Sequence, residues 1–296
     1  MDPRRRAGPN SSVRRGRRLG GLTTADTDAL LAWGSANLRD LPWRSTRDPW
    51  HVLLSEVMLQ QTQALRVVPR FQEFVERWPT PTPFADAPLG DVLRAWQGLG
   101  YPRRARYLHI ASQRIVEDFQ GAVPDALDDL LSLPGVGAYT ARAVLVFAFE
   151  RDVGVVDTNI ARVLARVEGR RLTPAAAQQL ADAAVPATRS WWWNQSLMEL
   201  GAVVCRPAPR CEACPLAGAC AWQRGHRRPP DPALGSAGVS KSQPRFEGSR
   251  RQQRGAVMRS LTDGPQPVAH FDRSIVEELA IDGLVQLDGD SVRLPT

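Results

Sequence analysis

From Thr23 to about Gln223 the apolar residues recur at helical spacing, and short Pro- and Gly-containing breaks cut the pattern into segments. The spacing predicts helices over Thr24–Leu38, Pro49–Gln63, Val68–Trp78, Leu89–Gln97, Arg103–Phe119, Ala126–Leu133, Tyr139–Phe149, Asn159–Val167 and Pro174–Ala184. No run alternates as a half-buried strand would, so this stretch reads as all-α. Trp191, Trp192 and Trp193 are adjacent and point different ways from a helix, which suits core packing better than a stacking surface. The pattern fades over Arg224–Ser249, which is rich in Pro, Gly, Ser and basic residues and reads as a linker. It then returns as a helix over Gln252–Leu261, a Pro-containing turn, a helix over Asp272–Asp282 and a hairpin. Val285–Leu287 and Val292–Leu294 form that hairpin around Asp288-Gly289-Asp290. Two helices followed by a small β-wing suggest a winged-helix-like module. The chain thus divides into a disordered basic arm (1–20), a helical core (21–223), a linker (224–249) and a small C-terminal module (250–296).

Composition adds a partner. The 296 residues carry a formal net charge of +7 and a pI of about 10, which points to an anionic ligand. Lys241, in the linker, is the only lysine, so lysine chemistry is not expected. The longest apolar run, Ala143–Phe149, is far too short to span a bilayer, and no apolar segment follows the N-terminal arginines as a signal peptide requires. A cytoplasmic protein with reduced thiols is expected.

All four cysteines, Cys205, Cys211, Cys214 and Cys220, fall in one stretch with spacing C-x5-C-x2-C-x5-C. Loops this short do not easily close two relaxed disulfides. An all-thiolate set suits tetrahedral zinc or an iron–sulfur cluster, and the single C-x2-C knuckle favours a [4Fe–4S] cluster.

Three further stretches carry candidate chemistry. Glu56 sits in the apolar run Val52–Leu59, where a carboxyl would have its charged form disfavoured and could serve as a general acid. Glu56, Gln60 and Gln63 also share one helix face, and taken alone the local pattern favours a solvated face. Leu133-Pro134-Gly135-Val136-Gly137 lies between two predicted helices and can present backbone N–H groups to a phosphate. Asp157 precedes a predicted helix; it reads as an N-cap, or as a second carboxylate facing Glu56. One acid and one anionic stabiliser suit cleavage of a glycosidic bond.

Together these stretches resemble the adenine DNA glycosylases of the MutY family, within the helix-hairpin-helix DNA glycosylase superfamily. The resemblance rests on Leu41-Pro42-Trp43-Arg44, Ser55–Thr62 (SEVMLQQT), Gly98–Tyr101 with Arg104 and Arg106, Leu133–Ala141, Val156–Asn159, and Met198–Ala202 leading to Cys205. It implies a two-lobed all-α core with a [4Fe–4S] cluster. It implies base excision repair by a monomer bound to the nucleoid, acting on double-stranded DNA with adenine opposite 8-oxoguanine or guanine. Glu56 would protonate adenine at N7, Asp157 would stabilise the charge growing on the sugar, and Tyr139 and Asn159 would support both. Gln61 and Tyr101 would enter the base stack, Arg44 and Gln195 would line the adenine pocket, and Gly135 and Gly137 would offer amides to the DNA backbone. Tyr139 stands where the related endonuclease III enzymes carry a Schiff-base lysine, which implies a monofunctional enzyme. The rivals are an endonuclease III-like lyase and a non-catalytic iron–sulfur DNA-binding protein.

The chain departs from the family pattern twice. The first cysteine gap is x5 where the family has x6, so Arg206–Arg210 must close a tighter loop. The roughly 75 residues after Cys220 are too few for the Nudix-like domain that reads 8-oxoguanine in many members. Recognition of the partner base would then rest on core residues such as Gln61, Thr62 and Leu99.

Overall fold

Helix α2 (Pro49–Leu59) organises the core. Asp48 caps it, accepting from the His51 N–H at 3.0 Å, and Pro49 opens its first turn. Every residue from Val52 to Met58 is buried, as expected of a helix with apolar residues all round. The computed structural model describes residues 22–236 and 245–296; the basic arm and Lys241 lie outside the described residues.

The helices run α1 (Thr24–Asn37), α2, α3 (Ala64–Arg77), α4 (Pro81–Ala85), α5 (Leu89–Ala95), α6 (Arg103–Phe119), α7 (Leu127–Ser132), α8 (Ala138–Phe147), α9 (Thr158–Glu168), α10 (Pro174–Ala184), α11 (Ser190–Val203) and α12 (Ala221–Arg224). They pack as two groups. In one, α2 lies against α3, α6 and α8, with α4 and α5 on α6 and α7 on α8. In the other, α11 joins α1 to α9, and α9 carries α10 and α12. The chain starts in the second group, crosses to build the first, and returns. No strand occurs over the described residues 22–236, and no described helix is long and apolar enough to cross a membrane.

Two predicted boundaries shift, for physical reasons. The helix expected over Pro49–Gln63 stops at Leu59, because Gln60 leaves helical geometry and Gln61 has a positive φ of 56°. The helix expected from Val68 begins at Ala64 and carries Pro69 inside it, where only one backbone hydrogen bond is forfeited. Helix α11 was not predicted. Ten of its fourteen residues are buried, so it lacks the apolar stripe that periodicity detects. Trp191 and Trp193 are core residues there, while Trp192 is 45% exposed.

After the core come α13 (Arg250–Ser260), β1 (Gln266–Pro267), α14 (Arg273–Ile281), β2 (Gln286–Asp288) and β3 (Ser291–Arg293). The strands form an antiparallel sheet in the order β1-β3-β2. Pairing of Asp288 with Ser291 leaves Gly289-Asp290 as a two-residue hairpin loop, with Gly289 at φ +58°. Strand β1 is two residues long and includes a proline, too little for a period-2 signal. This module is fastened to α5 and α6: the Gly90 N–H donates to the Pro295 carbonyl at 2.9 Å, Gln97 Nε2 to Met258 O at 3.3 Å, and Arg103 pairs with Asp282 at 3.1 Å. Before it, Asp231 pairs with buried Arg166 at 2.6 Å, and Ala233 and Ser236 are buried.

Buried Arg104 joins the end of α2 to the loop before α6. Its Nη1 donates to the carbonyls of Val57, Met58 and Gln60, and its Nη2 to Thr62 Oγ1 and the carbonyls of Leu99 and Gly100, at 2.6–3.0 Å. The Val57 and Met58 carbonyls belong to the last turn of α2, where a cation is favourable. Burial lowers the Arg104 pKa to about 10, still well above neutrality. Arg104→Ala strands several buried carbonyls and is expected to cost about 3 kcal/mol or more, read as a lower urea midpoint.

Candidate active site

An open cleft of about 1680 Å³ lies between the two helix groups. Glu56, Gln61, Thr62, Tyr139, Asp157, Asn159, Arg44 and Gln195 all line it. The outermost of these residues, Arg44 and Gln195, are 151 positions apart in the chain, and the crossing of the chain between groups is what unites them.

Glu56 is 5% exposed, so the solvated-face reading of its helix is corrected: α2 ends before that face is built, and the carboxyl is held among apolar neighbours. Burial raises its pKa to about 7; a hydrogen bond with Tyr139 opposes the shift and the charge of Asp157 adds to it. Its Oε2 is buried and has no hydrogen-bond partner among the described residues. Tyr139 sits in the first turn of α8, and burial followed by the two nearby carboxylates pushes its hydroxyl well above the ordinary value.

Asp157 is both a helix cap and a residue of the cleft. It caps α9, accepting from the Ile160 N–H at 2.6 Å, and it faces the cleft. Burial raises its pKa, opposed by the Ile160 N–H, by Asn159 and by the charge of Arg162. Asn159 Nδ2 donates to Asp157 Oδ2 at 3.1 Å, and Asn159 Oδ1 accepts from Arg162 at 2.8 Å. Arg162 in turn donates to the carbonyls of Gly201 and Cys205, both at 2.6 Å. Gly201 lets α11 approach: a Cβ there would lie 2.6 Å from the Asn159 Cβ.

Behind the cleft wall, and not lining the cleft itself, lies a carboxylate that sequence reasoning did not single out. Glu199 is fully buried in α11 and receives Arg39 Nε at 2.5 Å and Arg44 Nη2 at 2.7 Å. Arg44 Nε also donates to Gln195 Oε1 at 2.9 Å. Its sequence signal was the same as that of Glu56, a lone carboxylate among apolar residues of one helix.

The remaining candidates lie outside the cleft. Leu99 is buried; what it offers is its carbonyl, which accepts from Thr62 and Arg104. Tyr101, at φ 48°, follows it on the same loop. Gly135, at φ +79°, turns α7 into α8, and a Cβ there would lie 2.8 Å from the Tyr107 side chain. Gly137 caps α8 with open space around it, so another molecule's backbone can approach.

Cys205, Cys211, Cys214 and Cys220 line one cavity of about 400 Å³ with Val163, Leu200, Leu216 and Trp222. The shortened first gap therefore still brings Cys205 to the other three. Burial pushes the Cys214 thiol up to about 12 and raises those of Cys205 and Cys220. Among the described residues no three ligating side chains converge tightly enough for a single ion.

Known proteins are similar to this chain. Residues 54–187 match the HhH-GPD superfamily of base excision DNA repair proteins. The adenine DNA glycosylase of Mycolicibacterium smegmatis is 40% identical over 279 residues, covering 88% of this chain and 92% of the relative. That of Mycobacterium tuberculosis is 44% identical over 261 residues, covering 85% and 83%. The human adenine DNA glycosylase is 41% identical over 217 residues, which cover 67% of this chain and 39% of the human protein. Among solved structures, a thermostable thymine-DNA glycosylase superposes with a TM-score of 0.63 at 28% identity, covering 67% of this chain and 95% of that one. An endonuclease III in a non-covalent DNA complex superposes at 0.59 and 24% identity, covering 70% and 100%, a likeness of fold. A cleft lined by the carboxylates of Glu56 and Asp157, in a chain similar to these relatives along most of its length, places the chain in the adenine DNA glycosylase family of the HhH-GPD superfamily.

Proposed function

We propose that the protein is a monofunctional DNA glycosylase of base excision repair that removes adenine from double-stranded DNA, where adenine opposes 8-oxoguanine or guanine. The observation that carries this reading is the unpartnered Glu56 Oε2, a buried carboxyl oxygen in the wall of the cleft with a pKa of about 7. A proton held there is available near neutral pH. Glu56 gives it to N7 of the extruded adenine, the C1′–N9 bond breaks, and adenine leaves as a neutral base. The positive charge left on the sugar faces the Asp157 carboxylate, and a water adds at C1′, returning a proton to the carboxylates and leaving an abasic site. Arg44 and Gln195 offer hydrogen-bonding groups to the base, and Glu199 behind them holds Arg44 in place. Gln61 and Tyr101 fill the gap in the stack; both have positive φ, the kind of strain that gathers at functional positions. Gly135 and Gly137 present the start of α8 to a phosphate.

Cys205, Cys211, Cys214 and Cys220 fit a [4Fe–4S] cluster: four thiols line one apolar cavity, with no histidine or carboxylate in its lining among the described residues. When bound, such a cluster supplies thiolate coordination that ties the loop to the core. Arg166 Nη1, 3.4 Å from Cys205 Sγ, favours the thiolate there. The last segment is read as a winged-helix-like module, and the whole as a monomer working on the nucleoid in the cytoplasm.

Purified protein is expected to absorb in the visible and to release adenine from A:8-oxoG and A:G duplexes. Strand breaks should appear only after alkali treatment, because Tyr139 offers no amine for a Schiff base. Breaks without alkali, trapped by borohydride, would instead make it a lyase.

A further inference from the structure

The guanidinium of Arg251, in the first turn of α13, donates to the Tyr101 hydroxyl at 2.8 Å. It lies 5.8 Å from the Tyr101 ring centroid and 5.1 Å from that of Phe246, so one arginine of the C-terminal module engages two aromatic rings. Its neighbours on α13 face elsewhere: Arg250 and Arg254 pair with Glu278, and Arg254 also with Asp282. Phe246 is 48% exposed, an uncommon placement for a phenylalanine beside so many arginines. The Tyr101 loop borders the cleft, since Thr62 Oγ1 donates to the Leu99 carbonyl and Arg66 to that of Gly98. The module is anchored on both sides of this loop, through Gln97 before it and Arg103 after it.

We propose that the C-terminal module is part of the DNA-binding surface. Arg251 is a positioning residue that holds the Tyr101 ring at the cleft edge, and Phe246 adds a second aromatic face for the DNA strand opposite the extruded base. This rests on the reading of the cleft as a glycosylase site. An exposed aromatic ring stacked on a guanidinium is a sequence-tolerant platform for bases, and the arginine adds charge toward phosphate. The short module thereby supplies from α13 a contact to the partner strand that the core alone would lack.

The test uses the full-length protein and a duplex with a non-hydrolysable adenine analogue opposite 8-oxoguanine, so binding is read without turnover. Phe246→Ala and Arg251→Ala are each expected to raise Kd about tenfold with the melting temperature within a degree or two for the exposed Phe246. Tyr101→Phe removes the hydroxyl that Arg251 holds, so the double variant with Arg251→Ala should bind no worse than the weaker single variant. An unchanged Kd for Phe246→Ala, or fully additive losses for the Tyr101 and Arg251 pair, would overturn the proposal. Failure of the wild type to release adenine from any duplex would sink the glycosylase reading while leaving these binding data to decide the module's role.

Discussion

Glu56→Gln is expected to be inactive and, above neutral pH, more stable than the wild type. Loss of a general acid costs roughly 10²–10⁴ in rate, and the single-turnover rate of adenine release should fall by that much. The stability change follows from burial. A carboxyl at about 7 in the folded protein and near 4.5 when unfolded favours the folded state only while protonated in both. Below pH 4.5 it costs nothing; as pH rises from 4.5 through 7 the wild type loses up to about 3 kcal/mol. Glutamine keeps the shape, still accepts the Tyr139 hydroxyl, and has no proton to lose. Urea midpoints of the two proteins should therefore coincide near pH 4 and diverge by pH 8, with the variant higher. The wild-type rate should decline above about pH 7 as Glu56 ionises. A Glu56→Gln protein that keeps turnover, or that shows no gain at pH 8, would remove Glu56 from the acid role.

Much of this molecule was legible in its residues, and the illegible parts share a cause. Helices α6 and α10 carry clear apolar stripes and run over the spans that periodicity predicts. Helix α11 has nearly all faces buried, so no stripe marks it, and it is the helix that delivers Gln195 to the cleft and Glu199 to Arg44 at its wall. The environment of Glu56 was equally hidden. Spacing placed it on a polar face with Gln60 and Gln63, and only the break at Gln60, fixed by Arg104 reaching from α6, ends that face. Asp157 was ambiguous between cap and carboxylate because both uses need the same residue before a helix; in the fold it caps α9 and also lines the cleft. The junction of Arg251 with Tyr101 spans 150 positions, beyond the reach of any local pattern.

Asp157→Asn separates those two uses. Asparagine is as good an N-cap as aspartate, so the Ile160 N–H keeps its acceptor and global stability should move by less than about 1 kcal/mol. The charge is lost. A preorganised group facing developing charge contributes roughly 10²–10³ in rate, and the variant should lose at least that in single-turnover adenine release. The relay behind it also fails in one specific way: the new amide meets the Asn159 Nδ2 donor, and turning Asn159 over would forfeit its bond from Arg162. A second readout follows from the coupling of the two carboxylates. Asp157 raises the Glu56 pKa, so removing its charge should shrink the stability cost of ionising Glu56 and lower the pH at which that cost levels off, while its onset near 4.5 stays in place. The drop in urea midpoint of Asp157→Asn with rising pH should thus be smaller than that of the wild type and level off at a lower pH, and be absent when Glu56→Gln is added. If Asp157→Asn retains turnover within tenfold of wild type and leaves the size and the end of that drop unchanged, Asp157 is a helix cap alone.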